Sequence, residues 1–364
     1  MKKILILTTS TGEGHNQAAK SISSTFEDHG YTIVTNDFLK NNSKFLTKLF
    51  ISGYEFSASF LPKFYGWIYK VTDNSFTNKL LSFIFLITKR KIKNLILKEN
   101  PSLILATHPF AVSIIGSLKN SGINIPSIVI VTDFIAHSTY INNNIDIYIT
   151  ASDTTKKSLV DKGINPDRIF AYGIPVKDEF YNNFLDIEST KNDDYFNILL
   201  MSGSMGLKNI SHVLKELLNN TNKLRITVVC GKNEKLRNDL LSEYSHPIKN
   251  KKLHILGFSK DIDCLMEYSD IIISKPGGLT VTEAINKHLP LLIPFAIPGQ
   301  ESQNVEFLTT NGYALFIYNL LELNLIINNL INNPDELNKM RENLSNLAEK
   351  YSKENIVNLC DKLI

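Results

Sequence analysis

Short apolar runs alternate along the chain with longer stretches in which apolar residues recur at helical spacing. The first half reads as strands at Ile4–Leu7, Thr32–Thr35, Leu103–Ala106, Ser127–Val131, Ile145–Ile149 and Ile169–Tyr172. Brief apolar runs without polar alternation belong to strands covered on both faces, and the β-α-β rhythm predicts a parallel sheet. At 182–196 the sequence NNFLDIESTKNDDYF is polar and acidic with little apolar periodicity, so it reads as a linker. The rhythm restarts in NILLMSGSMG, LRITVVCGK, LHILGF, DIIISKPGG and PLLIPF. The pattern predicts an α/β protein of two doubly wound, Rossmann-like domains facing a central cleft. Their expected bounds are 1–185 and 186–364, with the last helix a candidate to return to the first domain.

Length and composition fit this picture. The chain has 364 residues, of which 43% are apolar, and domains commonly run to about 100–200 residues. A net charge of +3 argues against a surface built to coat nucleic acid. Cys230, Cys264 and Cys360 form no CxxC pair, so neither a disulfide framework nor a zinc site is expected. Lys2 and Lys3 precede an apolar run too short for a signal peptide, and no run reaches the ~18 residues of a membrane span. A cytoplasmic protein is the expectation.

Chemistry is concentrated where strands end. In TTSTGEGHNQAAKSI, Gly12 and Gly14 fit G-x-G-x-x-G, but the third position is Gln17. The dinucleotide fingerprint therefore fails, although Asp37 after the second strand could serve as its ribose acid. No Gly-Lys-Ser/Thr follows, which excludes a P-loop. His15 stands at the helix start, as a base at the mouth of the sheet or as a residue satisfied by its neighbours. Asp133 and His137 follow the 127–131 strand and are expected at the same mouth.

A second glycine pair, Gly277 and Gly278 in SKPGGLTVTEA, opens a helix whose positive end suits a diphosphate. Thr280 and Thr282 add hydroxyls. Glu283, one turn in, could accept both hydroxyls of a ribose or simply complement the helix dipole. Gln300, Glu301, Gln303 and Asn304 in IPGQESQN suit a polyhydroxylated ligand such as a sugar, or ordinary loop capping.

Seven segments together carry a family resemblance: Gly12-x-Gly14-His15-x3-Ala19, VTDFIAH at 131–137, YGIPV at 172–176, MSGSMGLKN at 201–209, VVCGKN at 228–233, KPGGLTVTEA and PGQESQN. The chain resembles the glycolipid glycosyltransferases that comprise monogalactosyldiacylglycerol synthases and processive diacylglycerol β-glucosyltransferases, the second group more closely. The resemblance implies a GT-B fold and inverting, metal-independent transfer of a hexose from a UDP-sugar to diacylglycerol. UDP-glucose is the favoured donor. Glu283 would take the ribose and Gly277 to Thr280 the phosphates, with Gly203 and Ser204 opposite and Gly231 on the same side. Phe258 would flank the uracil, while Gln300, Glu301 and Asn304 would face the sugar or its diphosphate. His15 is the expected base, with Asp133 as its orienting partner or its rival. The family often carries Trp where this chain has Tyr140.

Residues 40–98 differ from the rest. Lysines and arginines, among them Lys89 and Arg90, stand against only Glu55 and Asp73, interleaved with aromatics that include Phe64 and Trp67. Basic residues mixed with aromatics suit an anionic bilayer, which would place the protein peripherally on the cytoplasmic face of the membrane. The competing reading is core aromatics beneath a solvated basic face. No nucleic-acid motif accompanies the charge. Two other functions compete. A UDP-sugar 2-epimerase shares the fold but needs no aromatic-basic surface, and a nucleotide-sugar sensor needs no His15. Galactose as the sugar is left open, because Gln300 and Glu301 could serve either epimer.

Overall fold

The computed structural model describes residues 2–10, 13–41, 66, 71, 73, 86–182, 193–201 and 209–364. The first sheet contains β1 (Lys3–Thr8), β2 (Thr32–Asp37), β3 (Leu103–Ala106), β4 (Ser127–Ile130), β5 (Ile147–Ile149) and β6 (Ile169–Phe170). Its helices are α1 (Glu13–Asp28), α2 (Leu86–Glu99), α3 (Pro109–Lys119) and α4 (Asp153–Asp161). The second sheet contains β7 (Phe196–Met201), β8 (Leu224–Val229), β9 (Lys251–Leu256), β10 (Ile271–Ile273), β11 (Leu291–Ile293) and β12 (Ala314–Phe316). Around it lie α5 (Asn209–Leu218), α6 (Glu234–Glu243), α7 (Ile262–Tyr268), α8 (Gly278–Asn286), α9 (Gln300–Thr310), α10 (Leu323–Asn332) and α11 (Pro334–Ala348). The chain ends in α12 (Lys353–Leu363).

All the strand pairings are parallel. β1 shows why its sequence lacks polar alternation. Leu5 and Leu7 enter a core with Ile92 of α2 and Val112 of α3. Ile4 and Ile6 enter another with Ile22 of α1 and with Ile356, Val357 and Cys360 of α12. Alternate residues thus meet helices on opposite faces, and α12 covers the first sheet. β12 is the strand that the run pattern does not reveal. It has only three residues, too few to separate from helical spacing.

The strand orders β2-β1-β3-β4-β5-β6 and β12-β11-β10-β7-β8-β9 locate the crevices. Connections leave β1 toward β2 and then cross to β3 on its other side, so the first switch point lies between β1 and β3. In the second sheet it lies between β7 and β10. Ligands of open parallel sheets bind beyond the carboxyl ends of the strands at such points.

The halves share a joint. Phe134, Ile174, Val176 and Phe180 form one buried cluster with Leu199, Val281, Phe307 and Leu344. Phe134 stacks on Phe307 with ring centroids 4.8 Å apart. Nearby, Gly173 has φ +85°, and a Cβ there would lie 2.5 Å from the Tyr351 ring. Gly173→Ala therefore meets both the left-handed backbone penalty and a steric clash. It should lower unfolding free energy by about 2–4 kcal/mol, seen as a lower melting temperature.

Candidate active site

The first switch point is lined by threonines at strand ends. Thr8 Oγ1 donates to Asn16 Oδ1 at 3.0 Å, and Thr107 Oγ1 donates to Thr8 Oγ1 at 3.0 Å. Asn16 Nδ2 donates to Ser10 Oγ at 3.0 Å, and Ser10 donates to Asp37. Asp37 also accepts the Lys40 backbone N–H at 3.0 Å, so the acid that a dinucleotide site would need is spent on closing the loop.

This network holds α1, and α1 carries His15. Its Nδ1 lies 2.8 Å from the Thr107 carbonyl oxygen and 2.9 Å from Thr132 Oγ1. A carbonyl only accepts, so Nδ1 carries the proton and Nε2 keeps the lone pair, the tautomer a general base requires. Burial lowers the His15 pKa to about 4, which keeps the ring neutral near pH 7.

His108, which the motif reading passed over, packs edge-on against His15 with centroids 4.4 Å apart. Its Nδ1 accepts the Phe110 N–H at 3.1 Å and caps α3. Burial first and then His15 hold its pKa well below the usual histidine range. The available signal was its position: like Asp133, it directly follows a strand end.

The expected pairing of His15 with Asp133 is corrected. Thr132, one residue earlier, holds the histidine. Asp133 instead accepts a hydrogen bond from Gln300 of the other half. Burial raises the Asp133 pKa to about 7, against the opposing effect of Gln300. His137 stands in the turn after β4. Buried, it accepts the Thr139 N–H at 3.2 Å as the cap of a short 3₁₀ turn, and its Nε2 lies 3.8 Å from Asp73 Oδ1. The side chain thus holds the turn after β4.

In the second half, Gly277 caps α8 without a side-chain bond, leaving the first-turn N–H groups to whatever lies beyond the helix end. Ser274 Oγ, just after β10, is buried without a hydrogen-bond partner among the described residues. Thr280 is half-buried, whereas Thr282 is buried and donates back to the Gly278 carbonyl at 2.8 Å. Glu283 is half-buried, and its carboxylate makes no hydrogen bond among the described residues. Burial lifts its pKa to about 8, and Lys177 only partly offsets this.

Glu301 and Asn304 are 6% and 1% exposed, and their polar atoms are taken. Glu301 accepts from Lys275 Nζ at 2.6 Å and from the Ile297 N–H at 2.8 Å. Asn304 donates to the Pro276 carbonyl at 2.9 Å and accepts the Phe134 N–H at 3.2 Å. Both residues hold the loops that shape the cleft. Gly231 turns the chain after β8 with φ +60°, and Phe258 stands 65% exposed after β9, on the same carboxyl edge.

The two mouths meet. A Cβ on Gly14 would lie 3.8 Å from Leu279, so the start of α1 faces the start of α8. Gly203, Ser204, Phe64 and Trp67 lie outside the described residues. Gly66, between the two aromatics in sequence, is buried against the loop before α9: a Cβ there would be 2.7 Å from Pro298 Cβ. On α2, Lys89 donates to Ser121 Oγ at 2.9 Å, while Arg90, Lys91 and Lys93 are exposed. Among the described residues no His, Cys, Asp or Glu cluster is arranged to hold a metal, and no helix is long and apolar enough to cross a membrane.

Known proteins place this arrangement. The monogalactosyldiacylglycerol (MGDG) synthase family matches residues 15–176, and the glycosyltransferase family 28 C-terminal domain matches residues 197–363. Among solved structures, Acinetobacter baumannii MurG superposes with a TM-score of 0.66 at 18% identity, covering all of both chains. Anabaena HepE in complex with UDP-glucose gives 0.57 at 14% identity, covering 100% of this chain and 99% of that one. These likenesses establish the GT-B fold. The processive diacylglycerol β-glucosyltransferase of Bacillus subtilis is 28% identical, over 98% of this chain and 94% of its own length. That of Bacillus pumilus is 30% identical, again over 98% of this chain and 94% of its own. Identity of that extent over nearly the whole chain makes it a member of the processive diacylglycerol β-glucosyltransferase family of glycolipid glycosyltransferases.

Proposed function

We propose that the protein transfers glucose from UDP-glucose to diacylglycerol, with inversion, at the cytoplasmic face of the membrane. Residues 1–185 take the lipid and residues 186–364 the nucleotide sugar. The observation that carries this reading is the opposition of His15, in its base-competent tautomer, to the start of α8. His15 Nε2 takes the proton of the acceptor hydroxyl as its oxygen attacks the anomeric carbon. The bond from that carbon to the diphosphate oxygen breaks, and UDP departs with the electron pair. First-turn N–H groups of α8, beginning at Gly278, meet the growing phosphate charge. Glu283 accepts the ribose hydroxyls, Phe258 flanks the uracil, and Asp133 with Gln300 lines the space between the two substrates.

UDP release from UDP-glucose, UDP-galactose and UDP-N-acetylglucosamine tests this in vesicles with and without diacylglycerol. Release should require diacylglycerol and favour UDP-glucose, and mass spectrometry should find glucosyl-diacylglycerol. Sugar epimerisation without lipid, or binding without turnover, would overturn it. With anionic vesicles at low salt, replacing Lys89, Arg90, Lys91 and Lys93 by Gln should weaken flotation, each charge near the surface contributing about 1 kcal/mol. Unchanged flotation would remove α2 from the membrane-facing surface.

A further inference from the structure

Gly278 is the first residue of α8, and its φ lies outside the left-handed region, so its backbone does not call for glycine. Alanine would be the better helix former there. The space around it explains the choice: a Cβ on Gly278 would sit 2.2 Å from the Thr132 carbonyl oxygen, which belongs to the other half. At Gly277 the same added atom would meet, among the described residues, nothing closer than Lys275 Nζ at 3.9 Å. The two glycines therefore differ. One leaves room at the helix end, and the other is pressed against the opposite wall.

Thr132 faces both ways. Its carbonyl seats the start of α8, while its side-chain Oγ1 lies 2.9 Å from His15 Nδ1 and 3.1 Å from the Tyr140 hydroxyl. Tyr140 and Thr132 are both buried, so this side chain has little freedom to move independently. We propose that Thr132 is a positioning residue that couples closure of the two halves to the aim of His15, with Gly278 as the seat that permits the closed contact. The donor half thereby brings the diphosphate end of α8 and the base into register through one residue. This inference rests on the glycosyl-transfer reading and on His15 as its base.

In Gly278→Ala the backbone N–H is kept, but the helix must retreat from Thr132 by about 1 Å, a displacement that costs on the order of 10²-fold when reacting groups are misaligned. Because the Gly278 N–H is also assigned to the diphosphate, calorimetry should find UDP bound up to about tenfold more weakly, while kcat at saturating UDP-glucose falls about 10–100-fold. A loss confined to UDP affinity, with kcat at saturating UDP-glucose unchanged, would make Gly278 a phosphate contact alone and overturn the proposal. A second variant guards against a helix that simply misfolds. Thr132→Val keeps the shape and removes the hydroxyl, and kcat should fall about tenfold with KM for UDP-glucose unchanged, whereas Thr132→Ser should restore the rate.

Because the hydroxyl acts through the imidazole, Thr132→Val should cost nothing further in a His15→Ala background. An equal further loss there, or wild-type rates in both Thr132→Val and Gly278→Ala, would overturn the coupling. If His15→Ala is slow while those two variants are normal, the base assignment stands and the coupling falls. If His15→Ala itself runs at the wild-type rate, the underlying reading fails first.

Discussion

Replacing His15 with alanine should slow sugar transfer by about 10²–10⁴ while leaving UDP affinity nearly unchanged, the usual reach of a lost general base. The histidine stands on the acceptor side, held by Thr107 and Thr132, and UDP is assigned to the other half, so binding and chemistry separate in this variant. The pH profile sharpens the test. A base works only when unprotonated, and the His15 pKa is lowered to about 4 by burial. Rate should therefore hold as pH falls through 6 and decline only near 4, and His15→Ala should lose that limb. Asp133 offers the contrast, since burial raises it to about 7. A wild-type limb near pH 7 that vanishes in Asp133→Asn would transfer the base role to the carboxylate. Abolished UDP binding in His15→Ala would instead assign the glycine loop after β1 to the donor phosphates.

Glu283→Ala should weaken UDP binding by about 1–3 kcal/mol, the scale of a lost charged hydrogen bond. The carboxylate is half-buried, makes no hydrogen bond among the described residues, and sits one turn into α8. Its pKa is lifted to about 8, so the free protein holds it largely protonated at pH 7. Ribose hydroxyls donating to it favour the ionised form. Binding should then release a proton, and UDP affinity should rise with pH up to about 8, by at most about tenfold per pH unit. Calorimetry in buffers of different ionisation enthalpy measures that proton directly. Unchanged affinity in a folded Glu283→Ala, together with no proton release in the wild type, would remove Glu283 from the ribose site.

Periodicity and strand-end glycines were enough to read the architecture. Runs such as Ile4–Leu7 and Ile271–Ile273 are apolar throughout because helices cover both faces, and that requirement is written locally in residue order. His15, Asp133, Gly277 and Glu283 were legible for a related reason: parallel sheets bring whatever follows their strands to one edge. Pairings across the cleft were not legible, because they depend on how two separately folded sheets dock. Sequence reasoning put Asp133 with His15, but docking pairs it with Gln300, 167 residues away, while within the first half the histidine goes to Thr132. Glu301 and Asn304 read only as polar groups on a loop, and the packing of that loop alone shows them bonded to Lys275, Pro276 and Phe134. The two glycines of KPGG are equivalent in sequence. A carbonyl from the opposite half, brought within 2.2 Å of where one side chain would begin, separates them. Local order determined the elements and the edge on which chemistry gathers. The tertiary contact between the halves decided which atoms face which, since a hydrogen bond or a clash exists only where two surfaces meet.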